Sequence, residues 1–369
     1  SFPTRRSSDL ASPIEWTGIE TPCKEWEKFL LSCHELYPDG PEAMLAFLRR
    51  ALGYGIMADR RDHVFLVFVG DKGRNGKDTC MKIICEVLGQ ALSNDIPVEM
   101  LLTTSQQRSS SAPSPDIMAL RGMRIAWSNE PDKASQFAMG KLKKLTGGST
   151  LTARGLQDKL MTSWTPTHLL VLLTNEVPRA VSEDTAFWGR MLVVRWLLRF
   201  LDNPTAEDER PVDKDLSQKL LKELPGIAAW LVRGCLEYLQ SGLNPPPSVL
   251  SDTLDERDKN DVVGQFLREA CEFEDLSAGG PPTWRITAGD FYDAFCVWNR
   301  NYKFGSRNFG IILGKKGIDK KKSGGNVYLG VRLTDAMLED IEKHRRGKKG
   351  SGDEDDDKDR TKPKEPKLF

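Results

Sequence analysis

Four stretches of the chain, 63–69, 123–128, 168–173 and 191–196, are apolar at most positions and too short for helices. Such runs predict strands buried on both faces, and so a mostly parallel sheet covered by helices. Between and before them the apolar period lengthens to that of a helix. Trp26, Phe29, Leu30 and Leu36, then Met44, Leu45, Phe47, Leu48 and Leu52, predict a helical lead-in, opened in its second helix by Pro41 and closed by Gly53-Tyr54-Gly55. Cys80, Met81, Ile83, Ile84, Val87 and Leu88 predict an amphipathic helix directly after the first strand. Beyond a charged linker at 204–211, helices are expected at 216–239, interrupted at Pro225-Gly226, and at 261–273. The run Asn244-Pro245-Pro246-Pro247 breaks the chain between them, and Gly279-Gly280-Pro281-Pro282 reads as a further boundary. Helices at 288–299 and 309–313 and a basic hairpin around Lys320–Lys322 then follow the order of a winged helix. From His344 onward the composition is charged and of low complexity, which predicts disorder. No internal repeat is visible.

The fold class is therefore α/β. Ligands of such sheets bind outside the carboxyl ends of the strands, and the polar residues of interest fall there: the loop 70–79, Asn129-Glu130 and Asn175. The loop is the most specific. Gly73-Arg74-Asn75-Gly76-Lys77-Asp78-Thr79 joins a buried strand to a helix, so backbone N–H groups and the helix N-terminus can cradle phosphate. Lys77 can reach the terminal phosphates of a nucleoside triphosphate, and either Asp78 or Thr79 can face Mg²⁺. The usual pattern has Gly five residues before the second Gly and Ser or Thr after the lysine; here Asp71 and Asp78 stand there.

The same logic gives roles to other residues. Glu130, after a strand, can hold Mg²⁺ and polarise the attacking water. Asn175, at the tip of another, can orient that water. Arg190 can stabilise charge on a neighbouring subunit's γ-phosphate, with Arg179 and Arg195 as competitors. Between Glu130 and Asn175, short strands at 150–154 and 159–165 predict a hairpin whose Arg154 and Lys159, with Lys143 before it, suit a DNA backbone.

Composition narrows the setting. Lys plus Arg and Asp plus Glu both number 53, so only local patches can favour polyanions. The seven dispersed cysteines form no Cys-x-x-Cys pair, pointing to reduced thiols rather than a disulfide or zinc framework. No apolar run approaches the ~20 residues that span a bilayer. Ser1–Leu10 reads as the translation of a sequencing adapter and is set aside.

The motifs Gly-Arg-Asn-Gly-Lys-Asp-Thr, Ser-Asn-Glu, Lys-Lys-Leu-Thr-Gly-Gly with Thr-Ala-Arg, Leu-Leu-Thr-Asn-Glu-Val-Pro and Trp-Gly-Arg resemble, in order and spacing, the superfamily 3 helicase domain of phage, plasmid and poxvirus-type primase-helicases. The resemblance spans roughly residues 24–335. It implies an AAA+-like P-loop core with helical flanks and a C-terminal winged-helix-like domain. It implies a homohexameric ring with ATP sites between subunits, acting on single-stranded and forked DNA in a bacterial or virus-infected cytoplasm. Lys77 would take the phosphate role, Glu130 the metal and water role, Asn175 the sensor role and Arg190 the finger role. Lys143, Arg154 and Lys159 would touch DNA. A primase domain or polymerase is an expected companion. Domains are expected at 11–58 (helical), 59–200 (the ATPase core), 201–278 (helical) and 279–340 (a winged-helix-like DNA-binding domain), with a disordered charged tail at 341–369. The main alternative is a non-catalytic, ATP-binding replication initiator; another P-loop phosphotransferase is a further one.

Overall fold

A computed structural model describes residues 11–104, 112–129, 131, 135–275, 277, 279–300, 305–318, 320–322 and 326–349. The chain divides into two compact units at Asn260/Asp261, so the segment 261–278 falls with the C-terminal unit rather than with the preceding helices.

The N-terminal unit carries strands β1 (Phe65–Val69), β2 (Ser93–Asp95), β3 (Ile125–Ser128), β4 (Leu151–Ala153), β5 (Thr162–Trp164), β6 (Leu169–Thr174), β7 (Met191–Arg195), β8 (Arg199–Leu201) and β9 (Glu209–Pro211). Five of them form one parallel sheet in the order β2-β3-β6-β1-β7. The helices are α1 (Lys24–Cys33), α2 (Pro41–Ile56), α3 (Lys77–Leu88), α4 (Pro115–Ala119), α5 (Met139–Thr146), α6 (Thr185–Trp188), α7 (Leu216–Lys222), α8 (Leu224–Ser241) and α9 (Pro247–Lys259).

Every residue of β1, β3 and β6 is buried, and alternation decides which face each serves. Leu66, Phe68, Leu169, Val171 and Leu173 enter one core, shared with α1, α2, α3 and α8. Phe65, Val67, Val69, Leu170 and Leu172 enter the other, shared with α5 and α6. This two-sided burial is what the continuous apolar runs require.

Gly53 does not close α2. It lies inside the helix, where α8 crosses. A Cβ at Gly53 would stand 2.3 Å from the Cys235 amide nitrogen, and one at Gly234 1.9 Å from the Arg49 carbonyl oxygen. The two backbones touch, and only glycine leaves room.

In the C-terminal unit α10 (Val262–Ala270) ends early and its last residues become strand β10 (Cys271–Phe273). Then come β11 (Arg285–Thr287), α11 (Ala288–Trp298), α12 (Ser306–Lys315), β12 (Lys320–Lys322), β13 (Asn326–Leu329), β14 (Val331–Leu333) and α13 (Asp335–Lys349). β10 pairs with β14, and the other three strands form an antiparallel sheet ordered β11-β13-β12. Phe266, Phe291, Phe295, Phe309 and Tyr328 fill its core with ring-to-ring contacts. Helix α13 runs past His344, against the expectation of disorder from there. Its acidic first half and basic second half set up Glu339–Lys343 and Glu342–Arg346 pairs one turn apart. Among the described residues no helix is long and apolar enough to cross a membrane.

Candidate functional site

The site is built where β1 leaves the sheet. Gly70 N–H donates to Thr174 C=O (3.1 Å) on one side, and Trp196 N–H to Val69 C=O (2.6 Å) on the other, so both neighbouring strands fix the exit. At Gly70 a Cβ would lie 1.8 Å from Asn75 Nδ2 and 2.7 Å from Lys77 Nζ, so side chains from the far end of the loop fill that space. Asn75 is buried and its Nδ2 donates to Lys72 C=O (3.0 Å), bracing the turn. Arg74 (φ 66°) and Gly76 (φ 92°) adopt left-handed backbone, which strains the arginine and suits the glycine. Gly76 has no room for a side chain either: α1 packs beneath it through Cys33 and Phe29.

Lys77 opens α3 and is 4% exposed. Its Nζ donates to Gly70 C=O and to Asn175 Oδ1, each at 3.3 Å. Asn175 follows β6, the strand between β1 and β3, so it stands between the loop and the end of β3. There Asn129 is exposed, while Glu130 lies outside the described residues. Asp78 is exposed and Thr79 half-buried in the first turn of α3. Lys77 and Asn175 are thus brought together, with Asp78 and Thr79 beside them and Asn129 one strand beyond.

Arg190 is not part of that cluster. Its carbonyl accepts from Phe65 N–H (2.8 Å), which places it where β1 and β7 begin. The five residues of β1 separate it from the loop by roughly 17 Å at about 3.3 Å per residue. Its Nη1 donates to Ala186 C=O (2.6 Å), and its Nε is buried with no partner among the described residues. Arg195 is committed elsewhere, to Asp252 (2.8 Å) and Glu256 (2.6 Å) of α9. Arg179 is exposed, and its backbone pairs with Ser135 and Phe137.

Lys143 in α5 bonds Asp184 (2.7 Å), whose carboxylate also caps α6 by accepting from Phe187 N–H (3.1 Å). Burial works against the charged form of Asp184, but the bonds from Lys143 and Phe187 outweigh it and hold the carboxyl below its usual range. Lys143 therefore ties α5 to the turn that carries Arg190. Arg154 and Lys159 lie on the β4–β5 hairpin. Arg154 Nη1 donates to Asp158 C=O (3.2 Å), and Asp158 Oδ2 accepts from Gly155 N–H (2.9 Å), closing the tip. Lys159 is exposed there between Leu156 (73% exposed) and Leu160 (80%). This apolar tip was missed by sequence reasoning; two leucines inside a polar turn were the available signal.

A second missed element is the β8–β9 ribbon, whose second strand lies within the expected charged linker. Phe200 N–H donates to Arg74 C=O (2.9 Å), and Lys72 pairs with Asp208 (3.2 Å), so the ribbon is fastened to the loop at two points. A cavity of about 140 Å³ lies beneath these contacts, lined by Gly70, Lys72, Arg195, Leu197, Arg199 and Asp208.

No family model matches the chain. It is 27% identical over 277 residues to a protein of Acanthamoeba polyphaga mimivirus provisionally named helicase L207/L206, covering 72% of this chain and 28% of that protein. It is 26% identical over 288 residues to a protein of Invertebrate iridescent virus 3 provisionally named helicase 121R, covering 72% and 29%. A protein of African swine fever virus (strain Badajoz 1971 Vero-adapted), provisionally named primase C962R, matches at 24% over 205 residues, covering 55% and 20%. The chain spans less than a third of the length of these viral relatives. Among solved structures, the apo NrS-1 C-terminal region aligns with 86% of this chain and 79% of its own length, at 13% identity and a TM-score of 0.47.

Proposed function

We propose that this chain is the ATP-hydrolysing motor segment of a viral or mobile-element DNA replication helicase, of the superfamily 3 type. One observation carries the reading: Lys77, at the mouth of α3, is hydrogen-bonded to Asn175 at the tip of the adjacent strand. A lysine that reaches terminal phosphates and an amide that senses them belong at that spacing. The strand order supports an AAA+-like core, because one strand separates β1 from β3 and leaves Asn175 between the loop and the end of β3. The viral relatives with helicase and primase names support a replication role.

The residues fit ATP with Mg²⁺. Gly70 and Gly76, where a Cβ would collide, let the loop pack closely around Lys77, whose Nζ lies against Gly70 C=O and Asn175 Oδ1. Thr79 or Asp78 would hold Mg²⁺ with Glu130, and the metal would neutralise the phosphate oxygens. The cavity beneath the ribbon lies on the β7 side of the loop, away from Asn175, and would take the sugar and base. Arg190, at the far end of the strands, would act on a neighbour's site in a homohexameric ring, and Lys159 would hold single-stranded DNA. The C-terminal unit, with its α10-β11-α11-α12-β12-β13 order, is winged-helix-like. A primase segment or polymerase would work beside it.

The test is ATP hydrolysis by residues 11–369, with and without single-stranded DNA, beside Lys77→Ala. The expected result is DNA-stimulated turnover that the substitution removes. A folded ring that binds ATP without turning it over would instead favour an initiator.

A further inference from the structure

The glycine-rich loop carries two lysines, and the fold sets them on opposite flanks. Lys77 leans toward β6, where its Nζ donates to Asn175 Oδ1 (3.3 Å). Lys72 lies on the β7 side, where it lines the cavity beneath the β8–β9 ribbon with Arg195 and Leu197. Its Nζ donates to Asp208 Oδ2 (3.2 Å), one residue before β9. The backbone of Lys72 is braced, because its carbonyl accepts from Asn75 Nδ2 (3.0 Å). Freedom to move is left to its flexible four-carbon side chain.

Among the described residues three cations line this cavity, and they are held with unequal firmness. Arg195 is bound to Asp252 (2.8 Å) and to the buried Glu256 (2.6 Å). Its departure would strand a buried charge, which is costly. Arg199 pairs with Glu209 (3.3 Å) inside the ribbon itself. Lys72 has only a surface ion pair: its side chain is 59% exposed and that of Asp208 33%. Pairs so open to water contribute little. The hydrogen bond from Lys72 is the main cause that holds the Asp208 carboxyl below its usual range, and the Arg199 charge adds to it. Asp208 therefore keeps a compensating cation nearby if Lys72 turns away. Of the three, Lys72 is the one built to change partners.

The reading of the site gives it a partner to change to. With terminal phosphates at Lys77 and the sugar and base beneath the ribbon, the phosphate chain between them crosses the loop past Lys72. A polyphosphate offers an ammonium several charged oxygens, where Asp208 offers one carboxylate. We propose that Lys72 is a second phosphate-gripping cation and that Asp208 competes with the nucleotide for it, so that this ion pair sets nucleotide affinity. The proposal rests on the nucleotide reading of the loop and adds to it a residue outside 73–79 and a built-in competitor. The bland alternative is a fastener that ties ribbon to loop beside the bond from Phe200 N–H to Arg74 C=O (2.9 Å). A fastener fails in the same direction whichever end is removed. A cation and its competitor act in opposite directions.

The test is titration of the full chain with a fluorescent ATP analogue and Mg²⁺, with melting temperatures to confirm folding. Lys72→Ala is expected to weaken binding roughly tenfold, the loss of one hydrogen bond to a charged group. Asp208→Asn is expected to tighten it about threefold, the size of an exposed ion pair. The double variant is expected to match Lys72→Ala, because Asp208 has nothing to compete for once the lysine is gone. Weaker binding in both single variants, or no change in either, would overturn the proposal while leaving the nucleotide reading in place. No binding by the unsubstituted chain would overturn both.

Discussion

The two ends of the central sheet are made by the same strands and differ in almost everything else. At the carboxyl ends, Lys77 and Asn175 are bonded to each other across β1 and β6, beside a loop in which Gly70 and Gly76 have no room for side chains. At the amino ends, Arg190 and the buried His168 flank the starts of β7 and β6, with no phosphate cradle near them among the described residues. One end is an assembled site; the other offers an arginine roughly 17 Å away along the strands. The lesson is that a single copy of the chain places its candidate cradle and its candidate finger at opposite ends of one sheet. They can meet only if another copy presents the second end to the first.

Substitutions at the two ends should therefore separate chemistry from architecture. Lys77→Ala should cost the most, about 10³-fold in ATP turnover, by removing charge stabilisation at the phosphates, with an unchanged melting temperature. Asn175→Ala should cost about 10²-fold in turnover with little change in nucleotide affinity, measured by fluorescent-nucleotide titration. Away from both ends, Gly234→Val should destabilise the fold by about 1–3 kcal/mol through overpacking of α8 on α2, read from denaturant midpoints. The residual folded fraction should hydrolyse ATP normally.

A further effect concerns pH. Burial holds the His34 ring down at about 4 and the His168 ring at about 3. Unfolded histidines titrate near 6.5 (approximately), so the unfolded chain binds more protons below that value. The stability contributed by each neutral ring is complete above about pH 6.5 and is lost as pH falls toward about 4, at about 1.4 kcal/mol per pH unit. His168→Gln should flatten the dependence of melting temperature on pH in that window. An unchanged slope would mean that His168 is hydrated in the folded chain.

Much of this arrangement was legible in the sequence because burial on both faces leaves unbroken apolar runs, as in Leu169–Thr174, and because the glycine-rich loop has few structural alternatives. Other parts left little trace. β2 is Ser93-Asn94-Asp95, with no apolar run, and is strand only because it pairs with β3. Helix α9 follows a proline run and buries only Val249, Thr253 and Glu256, too sparse a face for periodicity to register. Gly53 looks like a terminator in sequence because its reason, the backbone of α8, is nearly two hundred residues away. The β8–β9 ribbon is charged and short, and only its contacts with Lys72 and Arg74 reveal it as part of the loop's surroundings. Within the candidate site, Lys77 and Asn175 could each be picked out from the sequence, but their hydrogen bond could not, since it depends on β6 lying beside β1.

The most direct test of a site shared between copies is complementation. Lys77→Ala and Arg190→Ala chains are each prepared alone, then mixed in equal amounts, and ATP turnover is measured. Each should be inactive by itself. In the mixture, random assembly should place an intact lysine opposite an intact arginine at roughly a quarter of the interfaces, and turnover should return to a corresponding fraction. Recovery would place the cradle and the finger on different copies. No recovery from mixed rings in which both chains are present, or full activity of Arg190→Ala alone, would contradict it.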